Sequence, residues 1–400
     1  MTLEVRRLEE QAEFREFARV HATAFGHRWE DDKLENVILP WLPLVHCVAA
    51  FDDGRMVGVT VDQPFEMTLP GGRMAPTRGI TWVGVLPTAR RRGALRAMIE
   101  YQHATFREQG LAFAALFASE TTIYGRFGYG PATVVATEAD IDTRYGAFAS
   151  PFIDTGSVEM VDDPAPVALV REVLDRARPG IPGEIDRMDQ DIADGFRVAD
   201  RKEFRVAHRD ASGAPDGYAA YRIDQHWEHE AIPRNRLVVG TLLAATREAY
   251  AALWRYLLDM RLIGTVVIRN RPLDEPIRWL LAEWRHYRIR HVTDGLWVGL
   301  LDLAAALEAR GYLTDGRLVL GVGGRRLLLR VEGGDARCEA TEREPEIELD
   351  EHTLAAVFLG GNRFTTLCAG LRLREVVPGA CVRADSLFRA EREPWCSYDF

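Results

Sequence analysis

The sequence predicts a multidomain α/β chain: one mixed unit, a second copy of that unit, and a closing α+β segment. Three observations carry this expectation. Gly79 to Phe106 (GITWVGVLPTARRRGALRAMIEYQHATF) reads as strand, turn and helix in one continuous order. The order strand, strand, helix, strand then recurs between Gly217 and Ile268. From Ala304 onward hairpins alternate with short helices, an α+β pattern. The boundaries implied are 1–148, 149–295 and 296–400.

Taken in order, Leu3 to Val5 is a short first strand. Glu9 to Phe25 is a helix with Phe14, Phe17, Ala18, His21 and Phe25 near one stripe. His27 to Pro43 mixes Trp29 and Trp41 with Glu30, Asp31, Asp32 and Glu35, the composition of a surface helix with a solvated acidic side. Cys47 to Phe51 and Met56 to Asp62 form a hairpin about Asp52-Asp53-Gly54. Pro70-Gly71-Gly72 is a second turn, because Pro presets φ and Gly permits positive φ. It leads to a strand in which Ile80, Trp82, Val83 and Val85 are β-branched or aromatic, and Pro87, lacking an N–H, ends it. In the helix that follows, Leu95, Met98, Ile99, Gln102 and Phe106 fall at helical spacing. Ala112 to Ala118 is a near-continuous apolar run, the mark of a buried strand.

The second copy runs through Gly217–Asp224, Arg236–Ala244, a helix from Thr246 to Arg261 and Gly264–Ile268. Its turn, Ala244-Ala245-Thr246-Arg247-Glu248, has no glycine and carries an acid, unlike the Arg90-Arg91-Arg92-Gly93 turn of the first copy, so any anion site, and with it cofactor binding, is assigned to the first copy alone. In the closing segment Ala304 to Arg310 is a helix, Arg317–Gly321 and Arg326–Val331 pair about Gly323-Gly324, and Glu346–Leu349 precedes a helix from Glu351 to Leu359.

At 400 residues, 47% hydrophobic and 28% charged, the chain has the composition of a globular protein of roughly two or three domains. A net charge of −10 argues against nucleic acid and suits a cationic partner. Five scattered cysteines without C-x-x-C spacing propose neither a disulfide framework nor a zinc site, and a reducing cytoplasm fits them. His226 and His229 make an H-x-x-H with no third ligand spaced for a metal, so no metal is expected. No leader-like apolar region opens the chain, and no run approaches the ~20 apolar residues of a membrane span.

Arg90, Arg91, Arg92 and Gly93 lie where the central helix begins. Three cations beside the positive end of a helix dipole need an anion, and a pyrophosphate would supply it. Gly93 lets the backbone approach phosphate oxygens, and the arginines can bind bidentately. Val83-Gly84-Val85 followed by Arg90-Arg91-Arg92-Gly93-Ala94-Leu95 resembles the acetyl-CoA signature Q/R-x-x-G-x-G/A of the GNAT superfamily of N-acetyltransferases, with Leu95 standing where Gly or Ala is usual. The wider pattern, ITWVGVLPTARRRGALRAMI, SETTIYGRFGYGPAT, DGYAAYRID, DGLW and AALEARGY with an aromatic last residue, is similar to the enhanced intracellular survival (Eis) family of that superfamily. The resemblance implies two tandem GNAT-like units and a sterol-carrier-like C-terminal domain that acts as scaffold. It also implies acetyl-CoA as co-substrate and a homo-oligomer, commonly a hexamer. Val83, Gly84, Val85, Arg90, Arg91, Arg92, Gly93, Ala94, Leu95, Arg96, Ser119 and Glu120 match its cofactor positions.

Acetyl transfer to an amine needs a neutral amine, a stabilised carbonyl oxygen and a proton for the departing thiolate. Tyr124 and Tyr129, both just past the buried strand, are candidate proton donors. The resemblance selects Tyr124 as general acid. The ending Trp395-Cys396-Ser397-Tyr398-Asp399-Phe400 is too aromatic for a frayed terminus and suggests a docked tail. In the family the C-terminal carboxylate is the general base, carried here by Phe400. Trp82 matches a position presenting an aromatic face to the acceptor, with a place in the core an equal explanation, and because the corresponding region covers the acceptor site in GNAT folds, the aromatic and acidic segment from His27 to Pro43 resembles a pocket for a polyamine. Asp294 and Asp399 are carboxylates able to bind ammonium groups, with a turn before Gly295 an equal explanation for Asp294. The function so implied is acetyl-CoA-dependent N-acetylation of a multi-amine small molecule of the aminoglycoside type. A protein or peptide lysine acetyltransferase is the alternative, and a non-catalytic scaffold or lipid-binding protein the third reading.

Overall fold

The computed structural model describes residues 3–400 apart from 31–33, 35–37, 39–41, 162–166, 188, 190–191, 193–202 and 229–231. The acidic residues Asp31, Asp32 and Glu35, Trp41 and His229 of the sequence reading therefore lie outside the described residues. In chain order the first stretch contains β1 (Leu3–Arg7), α1 (Phe14–Ala24), β2 (Cys47–Asp52), β3 (Arg55–Leu69), β4 (Arg73–Val85), α2 (Ala94–Glu108), β5 (Phe113–Phe117), α3 (Thr121–Tyr124), β6 (Tyr129–Pro131) and β7 (Val134–Asp142). The second contains β8 (Ser157–Met160), α4 (Val167–Ala177), β9 (Phe204–Arg209), β10 (Pro215–Asp224), β11 (Trp227–Glu228), β12 (Ile232–Pro233), β13 (Asn235–Ala244), α5 (Arg247–Leu258), β14 (Ile263–Pro272), α6 (Ile277–Leu280), β15 (Tyr287–Asp294) and β16 (Leu296–Leu300). The last contains α7 (Leu303–Ala309), β17 (Gly316–Val322), β18 (Arg325–Glu332), β19 (Asp335–Ala340), β20 (Ile347–Leu349), α8 (Glu351–Val357), α9 (Phe364–Ala369), β21 (Leu373–Glu375) and α10 (Ala380–Phe388).

Two seven-stranded sheets share one plan. The first is ordered β1-β2-β3-β4-β5-β16-β6, and the second, read from its other edge, β8-β9-β10-β13-β14-β7-β15. In both, the sixth place is filled from across the chain. β16 lies antiparallel between β5 and β6, while β7 lies antiparallel between β14 and β15. Thus β7 falls before 148 in sequence but in the second sheet in space, and β16 falls after 295 but in the first sheet. Periodicity could not reveal this exchange. The run Leu296–Leu300 is buried at every position, which asks for cover on both faces but does not say by whom.

Alternation along the strands sorts the layers. Ala114 and Leu116 face α2 together with Ile99 and Phe106, whereas Phe113 and Ala115 face the C-terminal unit. That unit's own five-stranded sheet, β19-β18-β17-β20-β21, joins the first sheet in one core through Phe65, Met67, Leu296 and Val298. α1 buries Phe14, Phe17, Ala18 and Val20 against β2 and β3. Arg310 is fully buried in the C-terminal unit and donates to the carbonyls of Phe358 (2.6 Å) and Phe388 (2.8 Å), which meets the cost of burying its charge. Among the described residues no helix is long and apolar enough to cross a membrane.

Candidate active site

The start of α2 is shaped for an anion. Arg91 and Gly93 both hold left-handed backbone, φ +64° and +90°, and successive residues of opposite hand turn neighbouring N–H groups toward one point. Gly93 is the N-cap and offers no side-chain bond to the first turn, so those N–H groups stay available. Among the described residues Arg90 and Arg91 have no ion-pair partner and are exposed, while Arg92 leans to Asp52 at 3.5 Å. Leu95, the departure from the signature, turns to the buried side of the helix with Ile99 and Phe106. Arg96 is exposed and Ala94 buried. Replacing Arg90 and Arg91 together with alanine should weaken acetyl-CoA binding about ten- to a hundredfold by calorimetry, the loss of one or two charge-assisted bonds, with the melting temperature unchanged. Unaltered affinity would remove the anion site from this turn.

Next to that loop the first sheet splits. β4 and β5 pair in parallel only at Gly79–Ala115 and Ile80–Leu116, yet β4 continues to Val85. From Thr81 to Val85, through Val83 and Gly84, the edge that had faced β5 is left open to an extended amide chain such as a pantetheine arm. β4 also bulges here. The β3 register slips between Val59 and Val61, so that Trp82 and Val83 oppose Thr60 alone. Trp82 takes φ +55°, which costs an aromatic residue about 1–2 kcal/mol. A bulge re-aims a side chain. Trp82 accordingly stacks on His21 (4.1 Å between ring centres) and Trp29 (5.7 Å).

A cavity of about 600 Å³ opens at this split, lined by His21, Phe25, His27, Ile80, Thr81, Trp82, Val83, Phe117, Ala118, Ser119, Tyr124, Asp399 and Phe400. It gathers Tyr124, Phe400, Asp399, Trp82, Val83 and Ser119 of the sequence-derived set. Tyr124 ends α3 and is 4% exposed. Burial first, and the charge of Glu120 second, push its phenol up to about 12, so it remains protonated. Tyr129 is fully buried, bonded to His103 Nε2 at 2.9 Å and pressed on Gly299, which makes it a core residue. The Phe400 ring sits between Phe65 (4.9 Å) and Phe117 (5.2 Å). Gly79 makes the seat: a Cβ there would lie 2.6 Å from the Phe400 ring and 2.5 Å from that of Phe65. Asp399 has accessible surface at the cavity, yet the protein around it removes enough water to raise its carboxyl above the usual carboxylate value.

Other expected residues lie apart. Glu120, the N-cap of α3, is exposed and outside the lining. Asp294 does not reach the cavity; its carboxylate accepts the Trp297 indole N–H at 2.6 Å, so the turn-side, structural explanation is the one its contacts favour. The sequence placed His21 and Phe25 on one stripe of α1 without a part in the site, whereas His27 opens the segment that the family resemblance sets over the acceptor. Burial, then the neighbouring His27, lowers His21 to about 4, so it is neutral at pH 7. Its signal was a histidine among apolar positions of a helix stripe.

Residues 4–132 match a family described as an acetyltransferase (GNAT) domain, residues 183–298 match a second GNAT domain family, and residues 303–397 match a sterol carrier protein domain. The N-acetyltransferase Eis of Mycobacterium tuberculosis is 35% identical over 360 residues, covering 86% of both chains. An uncharacterized N-acetyltransferase of Streptomyces avermitilis is 36% identical over 365 residues, covering 87% of both. Among solved structures, Eis1 of Mycobacterium abscessus superposes with a TM-score of 0.88 at 30% identity, over 99% of this chain and 100% of that one.

Proposed function

Since the chain belongs to the Eis family of GNAT N-acetyltransferases, we propose that it acetylates a cationic, multi-amine small molecule of the aminoglycoside type, with acetyl-CoA as donor. One observation carries this reading: Tyr124, the terminal Phe400, Asp399 and the aromatic face of Trp82 converge on one cavity at the mouth of the split strands. Bound acetyl-CoA supplies an activated acetyl group, and the chain supplies the rest. Arg90, Arg91 and the N–H groups about Gly93 bind phosphate, and the open edge of β4 orients the arm. Tyr124 holds the proton that the departing thiolate takes. The Phe400 carboxylate, directly or through one water, receives the proton released by the amine.

Trp82 and Phe25 line the cavity with ring faces that attract ammonium groups, and Asp399 adds a carboxylate. Because His21 is neutral, this wall brings no buried cation against a polycationic acceptor. The C-terminal unit serves as scaffold and as the source of the tail. A homo-oligomer, hexameric by family resemblance, belongs to the same proposal.

The test is release of free thiol from acetyl-CoA across amines: an aminoglycoside, a linear polyamine, a monoamine and a lysine peptide. Multi-amines should give kcat/KM at least about fivefold above the monoamine, since a second ammonium on an aromatic or carboxylate partner contributes about 1 kcal/mol or more. A lysine peptide that outpaced every small amine would favour protein acetylation instead.

A further inference from the structure

The second seven-stranded sheet repeats the split of the first. β13 and β14 pair only as far as Val239 and Ile268, although they run on to Ala244 and Pro272. Where the first split opens on about 600 Å³, this one retains about 40 Å³. The chain itself fills it. Arg271 crosses the gap and donates to the Leu242 carbonyl at 2.9 Å. Its charge is met by Glu275 at 2.8 and 3.0 Å, and the Tyr250 hydroxyl donates to the same carboxylate at 2.5 Å. The start of α5 is closed as well: Thr246 caps the Ala249 N–H at 3.0 Å and donates to Asp216 at 2.7 Å.

The C-terminal tail also lies at the gap, with Arg392, Glu393 and Trp395 along its lining. The Trp395 ring lies 4.4 Å over the Arg271 guanidinium. Its indole N–H donates to the Asn270 carbonyl at 2.9 Å and its backbone N–H to the Pro182 carbonyl at 2.8 Å. Asn270, held at φ +50°, donates its side-chain amide to the Cys396 carbonyl at 3.2 Å. One residue on, the Ser397 N–H donates to the buried Glu184 carboxylate at 3.2 Å, and Arg187 donates to the Ser397 hydroxyl. The chain from Trp395 to Phe400 spans at most ~3.5 Å per residue, so fixing Trp395 confines the terminus.

We propose that the split of the second unit anchors the tail, with Trp395, Asn270 and Glu184 as positioning residues that set the Phe400 carboxylate at the reacting amine. This rests on the reading of that carboxylate as base, and the experiment separates the two. Carboxypeptidase A is applied to the full-length protein and loss of Phe400 followed by intact mass. Turnover and acetyl-CoA affinity are measured on undigested samples. Trp395→Ala should release Phe400 about a hundredfold faster than the parent, because cleavage tracks the population of the undocked tail. Asn270→Gly keeps the left-handed backbone, removes the side-chain bond to the Cys396 carbonyl and the longer one (3.3 Å) from the Trp395 indole, which keeps its bond to the backbone carbonyl, and should give about a fivefold increase with the fold intact. Turnover should fall in the same order, with acetyl-CoA affinity unchanged. Release from Trp395→Ala as fast as from a free peptide of the same ending, with normal turnover, would uphold the anchor and overturn the carboxylate as base. Release at the parental rate in both variants would overturn the anchor, whatever the turnover.

Discussion

Tyr124→Phe is expected to lower turnover by about 10² to 10⁴, the usual contribution of a positioned general acid, with acetyl-CoA affinity and melting temperature close to the parent. The ring stays, and among the described residues no hydrogen bond of the Tyr124 hydroxyl would be broken. Burial raises the phenol to about 12, which by itself makes it a weaker donor to a thiolate of ordinary pKa near 8.5. The same removal of water raises the thiolate that forms in the cavity, so the mismatch between donor and acceptor narrows. A group protonated below about 12 stays competent across the working range, so any alkaline fall in rate well below that value must come from another group. Tyr129→Phe, by contrast, breaks a buried bond to His103 and should cost stability before turnover. If Tyr129→Phe abolished turnover in a folded protein while Tyr124→Phe did not, the acid would have to be reassigned.

Adding one glycine after Phe400 should suppress turnover by a comparable factor. The extension keeps the ring between Phe65 and Phe117, turns its carboxylate into a neutral amide and moves the charge roughly 3.5 Å along the chain. A general base must reach its proton directly or through one water, and a displacement of that size breaks the geometry. Acetyl-CoA affinity should hold, because the arginine turn is untouched. Normal turnover in the extended enzyme would acquit the terminal carboxylate. Asp399 would then be the first replacement, since its raised carboxyl pKa makes it a stronger base than an ordinary carboxylate.

Much of this was legible in the sequence, where the signal is local. Proline and glycine punctuate the turns at Gly71 and Pro87, apolar spacing marks α1, α2 and α5, and Thr246 stands one residue before α5 as its cap. The aromatic ending announced a docked tail. What stayed hidden depends on contacts through space. The left-handed Trp82, the bare Gly79 under Phe400, the His21 wall and the Trp395 anchor are each ordinary residues until a partner distant in sequence is brought beside them. Asp294 illustrates the converse: a carboxylate before glycine looks available until an indole N–H claims it.

The exchange of β7 and β16 also sets a timetable for biosynthesis. β5 and β6 meet only through β16, so the first sheet cannot close until the ribosome has made Leu300. At 5–20 residues per second that leaves an interval on the order of ten to thirty seconds after Pro131. During it the nascent chain presents the β5 edge unpaired, and an open strand edge recruits other chains. Translation speed and chaperone supply across the central segment therefore bear on the yield of a site whose arginine turn, proposed acid Tyr124 and aromatic wall are all encoded before residue 125.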